Sequence, residues 1–365
     1  MLSYIIWDVR PEIFAGYSVR WYGLLFALGF LIGQYIVAWM FRTERKPEKD
    51  LEKLMIYMVV ATILGARLGH CLFYQPGYYL SNPIEILKIW EGGLASHGAA
   101  IGILLALYLY ARNRPGQSFL WVVDRIVVVV ALGGAFIRMG NLMNSEIIGK
   151  PGDQPWAFVF AYPLNESLQN YKELQFLRAE KIPATRPDTV VKGEVYVPLD
   201  LRLYFNARKI DEGSLKSFLN FNLASLLNQG ETGKHYRLFE NAPPYKLKLN
   251  EGEYRVEVAL YALPRHPAQL YESLSCLALF FVLLGLYAWR KGRIPEGLFF
   301  GIFMIVIFGL RFVFEFLKEN QVEWEDGRWL NQGQVLSIPA ILIGLLALWY
   351  AARYRRTGPP ALEVK

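Results

Sequence analysis

The chain has 365 residues, of which 54% are hydrophobic, 15% aromatic and only 19% charged, with a mean hydropathy of +0.22. That composition excludes an ordinary soluble domain and points to a polytopic membrane protein. The formal charge of +7 lies between apolar runs, so it does not point to nucleic acid; Cys71 and Cys276, the only cysteines, lie inside such runs as small hydrophobes and offer neither a disulfide framework nor a metal site.

In chain order, apolar stretches near the roughly 20 residues that cross a bilayer predict seven spans, at 21–41, 54–74, 94–111, 119–143, 268–289, 296–317 and 334–351. The first, WYGLLFALGFLIGQYIVAWMF, is too long for a signal peptide and is followed by basic residues where a cleavage site would need small ones, so it stays as a helix. Between the fourth and fifth spans the chain turns polar over 150–262. Within it VYVPLDLRLYF and YKLKLNEGEYRVEVALYAL alternate as strands do, the second broken at the turn-prone Asn250-Glu251-Gly252.

Lys and Arg in the short loops set the orientation. Arg42, Arg45, Lys46, Lys49, Lys53, Arg112, Arg114, Arg290, Lys291, Arg293, Arg353, Arg355, Arg356 and Lys365 gather on one side, fourteen against the five on the other, Arg10, Arg20, Lys88, Lys318 and Arg328. The N-terminus and the polar insertion are therefore expected outside and the C-terminus in the cytoplasm. The expected fold is an all-α polytopic membrane protein of seven transmembrane helices with an α+β or β-containing extracytoplasmic insertion. Residues 1–149 hold spans one to four, 150–262 the head domain, and 263–365 spans five to seven with a cytoplasmic tail.

This topology gives several polar side chains one depth. Arg67, Arg138 and Arg311 come late in outward-running spans, while Tyr22, His97, Gln269, Tyr271, Glu272 and Gln334 come early in inward-running ones. Ionisable groups inside spans are costly and mark functional sites by default. Each also has a structural reading. An arginine near a helix end can snorkel, Arg311 and Glu315 have the i,i+4 spacing of a helix ion pair, His97 can bond a carbonyl, and Gly92, Gly93, Gly98, Gly102, Gly133, Gly134 and Gly140 can serve helix packing. The shared depth favours a polar cavity that opens outward. Forked guanidinium donors suit a phosphate, and access through lipid suggests a phospholipid. Asn141 and Asn144 add neutral donors beside Arg138.

Five segments, GGLASHGAAIG, IRMGNLMNSEIIGK, PRHPAQLYE, LRFVFEF and GQVLSIP, occur in this order within this span pattern. The chain thereby resembles the bacterial prolipoprotein diacylglyceryl transferases over nearly all of its membrane part, with a head longer than is usual in that family. The resemblance implies seven spans with the N-terminus outside, in the bacterial inner membrane. It also implies transfer of the sn-1,2-diacylglyceryl group of phosphatidylglycerol to the lipobox cysteine of a preprolipoprotein, without metal or nucleotide. By matching position it implies functional roles for Tyr22, His97, Arg138, Asn141, Glu146, Gly149, Arg311 and Glu315. Relatives often carry a tyrosine four residues before the second arginine; here that position is Ile307.

The chemistry needs a thiolate and a stabilised phosphate leaving group. Preorganised arginines meet the second need, with Arg138 and Arg311 the candidates. A free thiol titrates near about 8.5, so a base must help; His97 is the candidate, with Glu146 and Glu315 orienting the arginines. Tyr22 and Asn141 would hold headgroup or ester oxygens, and Asn144, Gly149, Arg67, Gln269 and Tyr271 complete the expected lipid site. Two other readings use the same cavity: a phospholipid or anion transporter, and a membrane acyl or phosphatidyl transferase with another acceptor. The internal repeats common in transporters are not visible in this sequence.

Overall fold

The computed structural model describes residues 4–14, 19–88, 93, 95–230, 232–239, 243–319 and 329–354. Gly92, the first residue of the third expected span (Leu94), and the counted charges Arg328, Arg355, Arg356 and Lys365 lie outside the described residues. The elements run β1 (Ile5–Trp7), α1 (Trp21–Thr43), α2 (Glu48–Phe73), α3 (Pro76–Ser81), α4 (Ser96–Arg112) and α5 (Phe119–Met143). They continue through β2 (Phe158–Phe160), α6 (Tyr162–Asn170), β3 (Phe176–Pro183), β4 (Thr189–Val191), β5 (Glu194–Asn206), α7 (Glu212–Phe221) and α8 (Leu223–Asn228). Last come β6 (Tyr236–Arg237), β7 (Tyr245–Asn250), β8 (Glu253–Ala262), α9 (Ala268–Arg290), α10 (Leu298–Phe314) and α11 (Gln332–Tyr354).

Six helices, α1, α2, α5, α9, α10 with the turn that extends it to Leu317, and α11, are long and apolar enough to cross a membrane. The third expected span is helical as α4, but at 17 residues it is shorter than those six. The reason is local: Gly93 has φ +70° and Ala95 is extended, so the helix cannot start before Ser96.

The chain folds as two compact units, one of residues 1–25, 137–273 and 313–331, the other of 26–136, 274–312 and 332–365. The second unit is an apolar helix bundle. In α5, 61% of the most apolar stretch is buried, against 11–33% in the other five candidate spans, which makes α5 the helix the bundle is built around. Its run Ile126-Val127-Val128-Val129-Val130 is β-branched and a poor helix former in water; packing against Val37, Met40, Leu283 and Phe299 overrides that preference. Helices α2 and α4 approach through glycines. A Cβ on Gly98 would lie 2.5 Å from Gly69 Cα, so no side chain fits there.

The first unit carries a sheet of order β3-β5-β8-β6, with β4 paired to β5 and β7 to β8. Alternation decides its faces. On β5 Val197, Leu199, Leu201, Leu203 and Phe205 are buried, and on β8 so are Val256, Val258 and Leu260, all against Leu215, Leu219, Leu223 and Leu227 of α7 and α8. The opposite face bears ion pairs such as Arg178–Glu253 and Arg202–Glu257. The expected break at Asn250-Glu251-Gly252 is a two-residue hairpin, with φ +46° at Glu251 and +87° at Gly252, the handedness that tight hairpins need. Three helices and the parallel pair β1–β2 add to the strands read from sequence. Helix α7 is opened by Asp211, whose carboxylate accepts from Ser214 N at 2.8 Å.

Candidate active site

Three chain-distant segments of the first unit meet along a backbone seam. Lys150 N donates to Leu317 O (2.8 Å), His266 N to Lys150 O (3.0 Å), and Gly152 N to Pro264 O (3.0 Å). The seam places the loop after α5, the segment leading into α9 and the segment after α10 side by side. Gly149 is required there as a glycine: a Cβ would overlap the carbonyl oxygen of His266, and its own carbonyl accepts from Arg265 Nη1 at 3.0 Å.

Polar side chains from these segments form one connected network. Arg138, 24% exposed, has Nε 2.7 Å from Glu272 Oε2, a contact of charge without hydrogen-bond alignment, and its Nη1 donates to Asn141 Oδ1 at 3.4 Å. Asn141 and Asn144 both donate through Nδ2 to Glu146 Oε1, at 3.0 Å each. Gln269, fully buried, donates to the Glu146 carbonyl at 2.6 Å. On the other side of Glu272, Lys318 Nζ lies 2.5 Å from Oε1 and 3.2 Å from Glu315 Oε1; Asn331 donates to Glu315 Oε2 at 3.0 Å. Glu146 is held between two strained neighbours, Ser145 at φ +54° and Ile147 at φ +59°. A β-branched residue in that region costs of order 1–3 kcal/mol and persists only where the surroundings over-determine it. Here the bonds from Asn141, Asn144 and Gln269 to Glu146 do so. The donors also fix both amide orientations, leaving Asn144 Oδ1 and Gln269 Oε1 as buried acceptors with no partner among the described residues.

Tyr22 belongs to the same unit, packed on Gly140 so closely that a Cβ there would lie 2.7 Å from its ring. Tyr271 faces a second polar group: its hydroxyl accepts from Trp156 Nε1 at 2.9 Å and lies 3.2 Å from His266 Nδ1. Gln154 Nε2 lies 2.9 Å from the same nitrogen, an arrangement that suits a ring accepting at Nδ1. Burial pushes the pKa of His266 down, against the opposing field of Asp153.

The other predicted residues lie in the second unit. His97 is exposed at the start of α4, its ring against Phe73 (5.1 Å) and Tyr74 (5.8 Å). Arg67 is 3% exposed and donates to the carbonyls of Ile86 (2.9 Å), Glu85 (2.5 Å) and Gly93 (3.4 Å), which ties down the chain after α2. Arg311 is in the last turn of α10. Ile307 packs with the apolar core of the bundle, as an aliphatic side chain in place of a phenol should.

Lys318 and the aromatic partner Trp156 were not legible as site residues. The one available signal for Lys318 is its position three residues after Glu315; in a count of loop charges it is merely one more lysine. Glu272 stands out as a carboxylate early in a span, but its role between two cations depends on residues 134 positions before it (Arg138) and 46 after it (Lys318).

Residues 11–350 match the family model described as prolipoprotein diacylglyceryl transferase. Among similar proteins, the phosphatidylglycerol–prolipoprotein diacylglyceryl transferase of Chloroherpeton thalassium is 36% identical over 354 residues, 96% of each chain. Those of Tolumonas auensis and Porphyromonas gingivalis are 34% and 35% identical, covering 96% and 94% of this chain and 98% and 93% of their own. These matches span the network, the head and the bundle alike, and the chain belongs to the prolipoprotein diacylglyceryl transferase family.

Proposed function

We propose that the chain transfers the sn-1,2-diacylglyceryl group of phosphatidylglycerol to the cysteine thiol of a preprolipoprotein lipobox. The observation that carries this reading is the way Arg138 is held. Its Nε is on Glu272 and its Nη1 on Asn141, and Nη2 has no partner among the described residues, so the outer fork remains able to take a phosphate oxygen. Asn144 Oδ1 and Gln269 Oε1 supply acceptors that suit the glycerol hydroxyls of the headgroup.

In the reaction the thiolate sulfur forms a bond to C3 of the diacylglyceryl unit. The C3–O bond to phosphate breaks, and glycerol phosphate leaves with the electron pair. Arg138 and Arg311 stabilise the charge that grows on the phosphate, His97 accepts the thiol proton, and Glu146 and Glu315 orient the cationic side. Tyr22 and Asn141 hold ester or headgroup oxygens. Arg67, with its described bonds on main-chain carbonyls, contributes by fixing the chain that leads to α4.

The same reading makes the protein a seven-span protein of the bacterial inner membrane, with α4 as the third span. At about 1.5 Å per residue, its 17 residues fall a few ångströms short of a hydrocarbon core of about 30 Å, which tilt of its neighbours and local thinning absorb. The loop-charge bias supports an outside N-terminus, an extracytoplasmic head over 150–262 and a cytoplasmic C-terminus.

The test is mass spectrometry of a lipobox peptide incubated with the purified protein and phosphatidylglycerol. A mass gain of one diacylglyceryl group supports the transferase. Lipid movement between leaflets with no modified peptide would support a transporter instead and sink the proposal.

A further inference from the structure

Lys318 is the most buried charge in the network, its side chain 2% exposed, and it lies between two carboxylates that each have a second partner. Its Nζ is 2.5 Å from Glu272 Oε1 and 3.2 Å from Glu315 Oε1. The other oxygen of Glu272 faces Arg138 Nε at 2.7 Å, and the other oxygen of Glu315 accepts from Asn331 at 3.0 Å. The backbone at Lys318 is fixed by the seam, through its bridge to Gly149. A lone ammonium could not be buried this deeply, and two carboxylates could not be buried side by side without it. Lys318 therefore places one positive charge between two buried carboxylates, one of which also faces Arg138.

We propose that Lys318 is a positioning residue for the phosphate-binding arginine, acting through Glu272. It takes one carboxylate oxygen so that the other stays on Arg138 Nε. It also cancels a negative charge that would otherwise oppose a phosphodiester anion at the outer fork of Arg138. An apolar residue at this position would remove the ammonium between Glu272 and Glu315, and the negative charge behind the anion site would rise by one unit. This inference rests on the reading that Arg138 binds the lipid phosphate.

The test uses the full chain in nanodiscs of graded phosphatidylglycerol content. It reads kcat and KM for the lipid together with the thermal midpoint, for wild type, Lys318→Arg, Lys318→Met, Glu272→Gln and the double variant Lys318→Met/Glu272→Gln. Breaking one partner of a buried pair predicts a fall of about 100-fold in kcat/KM for Lys318→Met. Lys318→Arg, which keeps the charge, should stay within about tenfold of wild type. The double variant keeps an amide oxygen for Arg138 Nε and removes the excess carboxylate charge, so it should recover about tenfold over Lys318→Met. If Lys318→Met does not fold, the double variant carries the test alone, since it removes one charge of each sign and leaves the net charge of the network unchanged.

Lys318→Met within threefold of wild type, or a folded double variant no better than Lys318→Met or inactive by itself, would overturn the proposal. A wild-type protein that forms no thioether would instead overturn the function on which it rests.

Discussion

In the bundle, Arg125 on α5 is 1% exposed and uses every nitrogen. Nε and Nη2 fork onto Glu44 at 2.9 and 2.8 Å, Nη1 donates to Trp121 O at 3.1 Å, and Nη2 also reaches Gly292 O at 3.3 Å. Glu44 is equally occupied, accepting from Trp121 Nε1 and the Tyr287 hydroxyl at 2.8 and 2.7 Å. Arg138 on the same helix, in the other unit, meets its carboxylate through Nε alone and keeps 24% of its side chain exposed. Both are arginines in an apolar helix with a glutamate partner. The difference is which nitrogens are spent: the Arg125 fork is filled by protein, as in a structural pin, while Arg138 is held from behind, which is the arrangement the proposed phosphate-binding role requires.

The widest separation between them should come from substitution. Arg138→Lys keeps a charge but loses the fork, and is expected to lower kcat/KM about a thousandfold with the thermal midpoint nearly unchanged. Arg125→Ala leaves Glu44 buried without its cation and is expected to cost about 3–5 kcal/mol of stability, while the folded fraction keeps a near-normal kcat. An active Arg138→Lys, or an inactive Arg125→Ala of normal stability, would erase the distinction.

The sequence shows why only one of the pair stood out. Arg138 is followed at short range by Asn141, Asn144 and Glu146, so a local cluster is readable. Arg125 has an acid beside it, Asp124, but the structure turns that carboxylate to the backbone N–H groups of Gly297 and Phe300, at 2.7 and 2.8 Å. The real partner, Glu44, is 81 positions away. Lys318 escaped notice for the same reason, since its meaning depends on a helix that starts some fifty residues earlier. Apolar runs and strand alternation are short-range signals, and they located the long helices and the β5, β7 and β8 strands. The head helices α7 and α8 bury their leucines against strands on both sides of them in sequence, and β1 pairs with a strand far along the chain; neither is announced locally.

His97 sharpens the contrast from the bundle side, where it is an exposed ring among aromatics instead of a paired group. His97→Gln is expected to lower the rate near neutral pH by about 100-fold. A lost base should then be partly rescued above about pH 8.5, where solvent ionises the substrate thiol. A variant equally inactive at every pH would mark His97 as a lipid-positioning group, and an unaffected one would return it to packing.

His235 in the head represents a third way to bury a titratable group, neutral instead of paired. It is 2% exposed, and its Nδ1 has no partner among the described residues. Burial first, and then the charges of Arg265 and Lys234, push its pKa down to about 3. The unfolded chain takes up a proton below about pH 6.5 while the folded head does not, so stability falls as pH falls from about 6.5 toward 3. The slope is about 1.4 kcal/mol per pH unit. Protection of β8 amides, taken relative to the intrinsic exchange rate at each pH, should therefore fall on acidification, and His235→Phe should flatten that dependence. An unchanged slope in the variant would assign the acid sensitivity to another group.

The role proposed for Arg138 is to stabilise a phosphate that departs as the carbon–oxygen bond breaks. Phosphatidylglycerol labelled in its headgroup glycerol phosphate, followed through a single turnover with a lipobox peptide, tests this directly. The wild-type protein should release label as water-soluble glycerol phosphate one for one with thioether formation, and Arg138→Lys should release almost none on the same timescale. Label that stays in the lipid while the peptide is modified, label carried onto the peptide, or equal release from both proteins would contradict it.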